Sequence, residues 1–139
     1  MIKLANLYEL GSSEDLIGQL YLWLAQRTPE QSISHKTMPT WTQHRQFVLA
    51  KPYKYWFLIE TTDEPVTRLV GSIYITHKHE VGIHIDSADR GKGYGSQALA
   101  QLREVVPGPL LANINPENEP SIAFFTRHGA RLIQHTYEL

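Results

Sequence analysis

The fold is decided by the stretch Glu80-Val81-Gly82-Ile83-His84-Ile85-Asp86 and by the run that follows Ser87-Ala88-Asp89, namely Arg90-Gly91-Lys92-Gly93-Tyr94-Gly95-Ser96. The first part alternates strictly. Val81, Ile83 and Ile85 fall on one face and Glu80, Gly82, His84 and Asp86 on the other, the pattern of a half-buried strand. Beyond the second part, Ala98, Leu99, Leu102, Val105 and Val106 recur at helical spacing until Pro107 stops the helix. The glycine-dense turn therefore joins a strand to an amphipathic helix. Three of the nine glycines lie within five residues there. Glycine lets a backbone turn tightly and approach a ligand, while the first N–H groups of the helix have no internal partner and point outwards. Helped by the helix dipole and the charges of Arg90 and Lys92, the turn is predicted to hold a phosphate or diphosphate. The opposing reading is a tight strand-to-helix turn that binds nothing.

Around this stretch the chain reads as one unit of 139 residues, with no biased linker and no internal repeat. Ile2 to Leu10 is a predicted first strand, and Ser13 to Arg27 and Thr40 to Ala50 are predicted helices. Lys54 to Thr61 and Val66 to Thr76 are strands joined at Asp63-Glu64-Pro65. After the central stretch come a short strand, Leu110 to Ile114, a helix from Asn118 to Gly129, and a last strand, Ala130 to Leu139. The order β α α β β β α β α β is a mixed α/β layout, with helices on both sides of a central sheet. A chain of this length buries roughly 68% of its unfolded surface, enough for one core.

Composition removes several classes of function. The 13 Lys and Arg against 14 Asp and Glu give a net charge of −1, without the concentrated positive charge that phosphate backbones require, so no nucleic-acid partner is expected. The absence of cysteine removes disulfides, thiolate metal sites and a cysteine nucleophile, and suits a reducing compartment. The longest apolar run, Leu20 to Ala25, has six residues, where a membrane span needs about 20. Met1 to Leu10 lacks a basic start followed by an apolar block, so the expected location is cytoplasmic.

Spacing selects among phosphate ligands. Glycines at 91, 93 and 95 do not fit G-x-G-x-x-G, and G-x-x-x-x-G-K-[ST] is missing. What fits is Arg-x-x-Gly-x-Gly at Arg90, Gly93 and Gly95, which closely resembles the acyl-CoA signature of the GNAT family of N-acetyltransferases. A second motif, Asn118-x-x-Ser121-Ile122-x-Phe124-Phe125 ending in Gly129-Ala130, is similar to that family's final helix and the turn after it. The resemblance spans most of the chain and implies a single GNAT-like α/β domain over 1–139. Its mixed, mostly antiparallel sheet would have six to seven strands, helices on both faces, and a splay between the fourth and fifth strands. It also implies an acetyl-CoA-dependent N-acyltransferase working by direct attack in a ternary complex. The cofactor residues would be Arg90, Gly91, Lys92, Gly93, Tyr94, Gly95 and Ser96 at the diphosphate, Ile83 and Ile85 along the pantetheine arm, and Asn118 and Phe125 on the final helix. Asn118 is equally at home as a plain helix cap.

Two departures from the family pattern bear on the chemistry. Many members carry a Tyr on the final helix as the acid that reprotonates the departing thiolate; Phe125 stands there and has no proton to give. Where other members use an acidic residue on the preceding strand, this chain has Asn113. A CoA-binding module without catalysis is therefore the rival reading. For the base that deprotonates the acceptor amine, the candidates are Glu80, which opens the strand, and His84 on the same face. Each has a bland alternative, as a solvated strand-end charge and as a packed histidine. No metal site is expected from His77, His79 and Glu80, which fall at a turn. The resemblance places the acceptor near the first two helices, at His35, Trp41 and His44, where aromatic walls suit a small-molecule or peptide amine. At least two of Trp41, Phe47 and Trp56 are expected in the core. Monomer and homodimer both stay open.

Overall fold

The computed structural model describes residues 1–31, 37–63 and 65–139. Strand β1 (Ile2–Asn6) ends early because the Asn6 side chain accepts from the Tyr8 N–H and starts the one-turn helix α1 (Leu7–Leu10). Helix α2 (Glu14–Ala25) is capped by Ser13, and α3 (Trp41–Leu49) by a reciprocal Thr40–Gln43 capping box. Strands β2 (Tyr55–Thr61), β3 (Leu69–Ile75) and β4 (Val81–Ile85) follow, then α4 (Tyr94–Val105) and α5 (Glu119–Arg127). The sheet has the order β1-β2-β3-β4, each strand antiparallel to its neighbour.

Helices cover both faces, as expected. On one face Ile59, Val70, Ile73, Ile75 and Val81 pack with Ala98, Leu99 and Leu102 of α4. On the other, Trp56 and Leu58 pack with Ile17, Leu20, Trp23 and Val48 of α2 and α3. Of Trp41, Phe47 and Trp56, at least two of which are expected in the core, only Trp56 is buried. Phe47 and Trp41 are 44% and 38% exposed, because α3 turns them outward.

Four strands stand among the described residues, in place of the expected six to seven. The segment 110–114 is not a full strand: it touches β4 only through a parallel bridge between Glu80 and Leu111. Val81 N–H donates to the Leu111 carbonyl (2.7 Å) and Leu111 N–H to that of His79 (2.8 Å), after which the two segments diverge. The last predicted strand is also absent. Residues 130–139 are exposed along their whole length and pair with no strand among the described residues.

Candidate functional site

Divergence of β4 from 110–114 opens a groove of about 930 Å³. It runs from Thr76 and Glu80, past Ile83 and Ile85, to Gly91, Gly93 and Ser96, with Asn113, Asn118 and Phe125 on the far side. At its glycine end, Gly91 and Gly93 have φ of +77° and +83°, a backbone that side-chain-bearing residues avoid. A Cβ at Gly91 would meet nothing within 4 Å, and one at Gly93 only the tip of Gln97. Gly93 caps α4 without any side-chain hydrogen bond. Among the described residues the amides of Gly91 to Ser96 donate to no protein acceptor. Six consecutive free N–H groups, three ahead of the 12-residue α4 and three in its first turn, could hold an anion. Gly95 serves packing instead. A Cβ there would press on Phe124 at 3.4 Å, so the glycine lets α5 lie against α4.

The loop is anchored from below. Asp89, only 4% exposed, accepts two bonds from the Arg68 guanidinium (2.7 and 2.8 Å) and one from Lys92 Nζ (3.1 Å). These bonds, Arg68's first, hold its carboxyl down to about 2. Lys92 thus braces the loop and does not line the groove, while Arg90 does, with its Nε donating to the Ile85 carbonyl at 3.1 Å.

Along β4 the main chain is also available. Antiparallel strands point alternate residues' N–H and C=O groups to opposite sides. Because Val81 N–H leaves β3 for Leu111, the main-chain groups of Ile83 and Ile85 face the groove too. At the narrow end, the turn Thr76-His77-Lys78-His79 sets Glu80. Thr76 Oγ1 accepts from the Glu80 amide (3.1 Å) and donates to Glu80 Oε1 (3.0 Å), and Asn113 Nδ2 donates to Oε2. The carboxylate is thereby fixed where the two segments part.

His84 faces α2. Its Nε2 donates to Gln26 Oε1 (3.1 Å), an oxygen that also accepts from the Ser87 amide. Burial, then the charges of Arg90 and Arg27, lower its pKa to about 4. The ring is neutral at physiological pH, with Nδ1 left as the acceptor.

A second cavity of about 790 Å³ lies between α2, α3 and the sheet, and shares Arg27, Phe47, Tyr53, Tyr74 and His84 with the groove. His44 lines it but is buried, with Nε2 on the Ile17 carbonyl (3.2 Å). Trp41 lies edge-on to Tyr21 and lines neither cavity. His35 falls outside the described residues. Among the described residues no group of three or more His, Asp or Glu is placed to hold a metal.

Sequence reasoning misses Tyr74. It pairs across the strands with Gly82, and its ring lies over that glycine, where a Cβ would come closer than 3.0 Å. The ring stacks on Tyr53 at 3.9 Å and 4°. Burial, and then Tyr74, keep the Tyr53 phenol protonated. The isolated glycine in a strand is the signal that could have found it, since it marks close approach of another group.

This geometry agrees with comparison to known proteins. The sequence profile of the acetyltransferase (GNAT) family matches residues 18–130. The chain belongs to that family. A Bacillus subtilis (strain 168) protein, YwnH, provisionally named a phosphinothricin acetyltransferase, is 43% identical over 54 residues. That match covers 36% of this chain and 33% of the relative, so the chain spans about a third of the relative's length. A Methanocaldococcus jannaschii domain of known structure superposes with a TM-score of 0.78 at 19% identity, over 99% of this chain and 93% of that one. The ribosomal-protein-alanine N-acetyltransferase of Brucella melitensis gives 0.64 at 21%, over 93% and 83%. At such identities these two structures establish that the GNAT chain shares their fold. Among its described residues no helix is long and apolar enough to cross a membrane.

Proposed function

We propose that the chain transfers an acetyl group from acetyl-CoA to a primary amine by direct attack in a ternary complex. The carrying observation is the row of free amides from Gly91 to Ser96, which opens into a groove continued by the unpaired main-chain groups of Ile83 and the N–H of Ile85. A diphosphate suits the first feature and an amide-bearing arm the second. When bound, acetyl-CoA supplies an activated thioester carbonyl. Counted from the ammonium form, the net reaction makes one C–N bond and breaks one C–S bond; two protons leave nitrogen, one reaching sulfur and one passing through the base to solvent.

The chain's own residues handle those protons. Glu80, oriented by Thr76 and Asn113, is the base, taking a proton from the ammonium directly or through water. His84, already donating to Gln26 and weakly basic, positions. Phe125 lines the groove without a hydroxyl; Tyr74 Oη, on the wall shared by both cavities, takes the donor role. The acceptor enters through the second cavity, whose aromatic walls fit a small or medium amine. The Arg27 side chain, which lines both cavities and whose charge acts on Tyr53 and His84 there, favours an anionic group on that amine.

Because the chain has no cysteine, every thiol released in a mixture of protein, acetyl-CoA and an amine panel is product. Turnover is expected, together with stabilisation approaching about 2.7 kcal/mol at acetyl-CoA a hundredfold above Kd. Glu80→Gln is expected to lower kcat/KM more at acidic than at alkaline pH, and Tyr74→Phe to lower kcat at unchanged KM for acetyl-CoA. The rival, a CoA-binding module without catalysis, is favoured by Phe125 alone. Tight binding with no turnover across the panel would establish it.

A further inference from the structure

The row of free amides ends at Ser96, which lines the groove in the first turn of α4. A serine inside a helix commonly turns its hydroxyl back onto the carbonyl four residues earlier. Here Oγ instead lies 2.9 Å from Nε2 of His128, the residue that closes α5. His128 does not line the groove itself; it stands behind Ser96. Three contacts hold it there. Its N–H donates to the Phe124 and Phe125 carbonyls (3.2 and 3.1 Å), its carbonyl accepts from Arg103 of α4 (3.3 Å), and its ring tilts against that of Phe124 with centroids 4.8 Å apart. Phe124 is in turn the ring that Gly95 admits against α4. The Ser96–His128 pair is therefore built jointly by the two helices, beside the last glycine of the turn.

A hydroxyl has one proton, and its direction decides what the groove meets. If the Nε2 lone pair faces Ser96, the O–H points at the ring and only oxygen lone pairs are left toward the groove, where they repel an anion. If Nε2 carries a proton, the ring donates to Oγ and the O–H is released to donate in its turn. An anion on the amide row tolerates only the second arrangement. The donors then run from Nε2–H to Oγ–H to the anion, and each bond polarises the next.

We propose that His128 is a positioning residue for the diphosphate: with a proton on Nε2 it fixes the Ser96 hydroxyl as a donor into the groove, one side-chain donor beside the row of amides. This rests on the acetyl-CoA reading above and adds to it the side chain that orients Ser96 and the proton state it must hold. Its effect belongs to the diphosphate alone, since the pantetheine arm lies along β4, away from α5's last residue.

Two ligands separate that effect from a structural one: CoA, and pantetheine, which keeps the arm and lacks the diphosphate. His128→Leu is expected to weaken CoA about tenfold by calorimetry, the worth of one hydrogen bond to a charged group, with pantetheine unchanged. His128→Gln, which can still donate to Oγ, should recover most of the loss. In a Ser96→Ala background His128→Leu should cost nothing more, because the hydroxyl it orients is gone. Long-range proton–nitrogen spectra of ring-labelled histidine, with His128 assigned by its disappearance in His128→Gln, should show Nε2 protonated in the CoA complex. An Nε2 left bare in that complex overturns the proposal, as does a His128→Leu loss that falls equally on pantetheine or persists beside Ser96→Ala. These results leave the acetyl-CoA reading standing, whereas a wild-type chain that binds no CoA overturns both.

Discussion

Replacing Gly82 by alanine tests the geometry on which the candidate proton donor depends. The added Cβ would stand under 3.0 Å from the ring and hydroxyl of Tyr74, a distance that real contacts do not reach. The ring has little room to withdraw, being stacked on Tyr53 and edge-on to Trp56. Either the stack breaks, at about 0.5–1.5 kcal/mol, or β3 and β4 move apart, an overpacking cost of about 1–3 kcal/mol. A loss of about 1–3 kcal/mol is expected, a sizeable share of the ~5–15 kcal/mol that holds a domain folded. Urea unfolding measures it as a lower midpoint at unchanged slope.

The cause is isolated by a double-mutant cycle. In a Tyr74→Ala background the space over residue 82 is empty, and alanine there should be neutral or slightly stabilising, since glycine weakens a strand. The coupling between the two sites is therefore expected at about 1–3 kcal/mol, above the ~0.5 kcal/mol scatter of independent sites. If Gly82→Ala costs the same with and without the Tyr74 ring, the ring does not lie over the glycine and Tyr74 loses its place on the groove wall.

Three further outcomes follow from the site. Gly93→Val forces a branched residue to φ of +83° and puts its side chain in front of the amide row. It should weaken acetyl-CoA binding at least a hundredfold by calorimetry, while Gly108→Val, at φ +89° outside the groove lining, costs stability without affinity. His84 takes its proton near pH 4 when folded and near 6.5 when unfolded, so the unfolded state protonates first and stability falls as pH drops through that interval. His84→Gln should remove about 1–3 kcal/mol of that acid sensitivity, measured by urea unfolding at pH 7 and pH 4.5. The Arg68-bound carboxyl of Asp89 stabilises the fold above its unfolded pKa of about 3.9, and this is lost as pH falls toward 2. Asp89→Asn should therefore cost about 2 kcal/mol at pH 7 and progressively less below pH 4 in the same assay.

What can be read from the sequence is what is local. Ser13, Thr40 and Asn118 each accept from a backbone N–H three residues on, so the starts of α2, α3 and α5 are legible from single residues and the apolar spacing behind them. Gly91 and Gly93 announce themselves because positive φ is a demand of one residue on its own backbone. The parts of the site that escape are those that depend on register. Tyr74 meets Gly82 only because β3 and β4 pair as they do, Asn113 reaches Glu80 across 33 residues, and Arg68 reaches Asp89 across 21. His44 has the right position in the chain for an acceptor-pocket residue, yet its Nε2 is taken by the Ile17 carbonyl. Charge alone points Lys92 at the ligand, whereas Asp89, three residues before it, is the nearer anion.

Among the described residues two backbone edges, on β4 and on 110–114, lack partners along part of their length. An unpaired edge in a folded protein is an invitation, because each free N–H or C=O favours whatever supplies the missing bond. On β4 the free groups of Ile83 and the N–H of Ile85, whose carbonyl Arg90 Nε already holds, look across a groove whose far wall is Asn113, Ile114, Asn115 and α5. A strand with side chains on both faces would meet that wall, whereas a thin amide-bearing chain without side chains would not. On 110–114 the free groups of Leu110 and Ala112 point away from β4, and no described strand stands on that side. The divergence of two segments after Leu111 thus exposes an edge of β4 suited to a slender ligand. Closing the gap by pairing 110–114 fully with β4 would remove the groove.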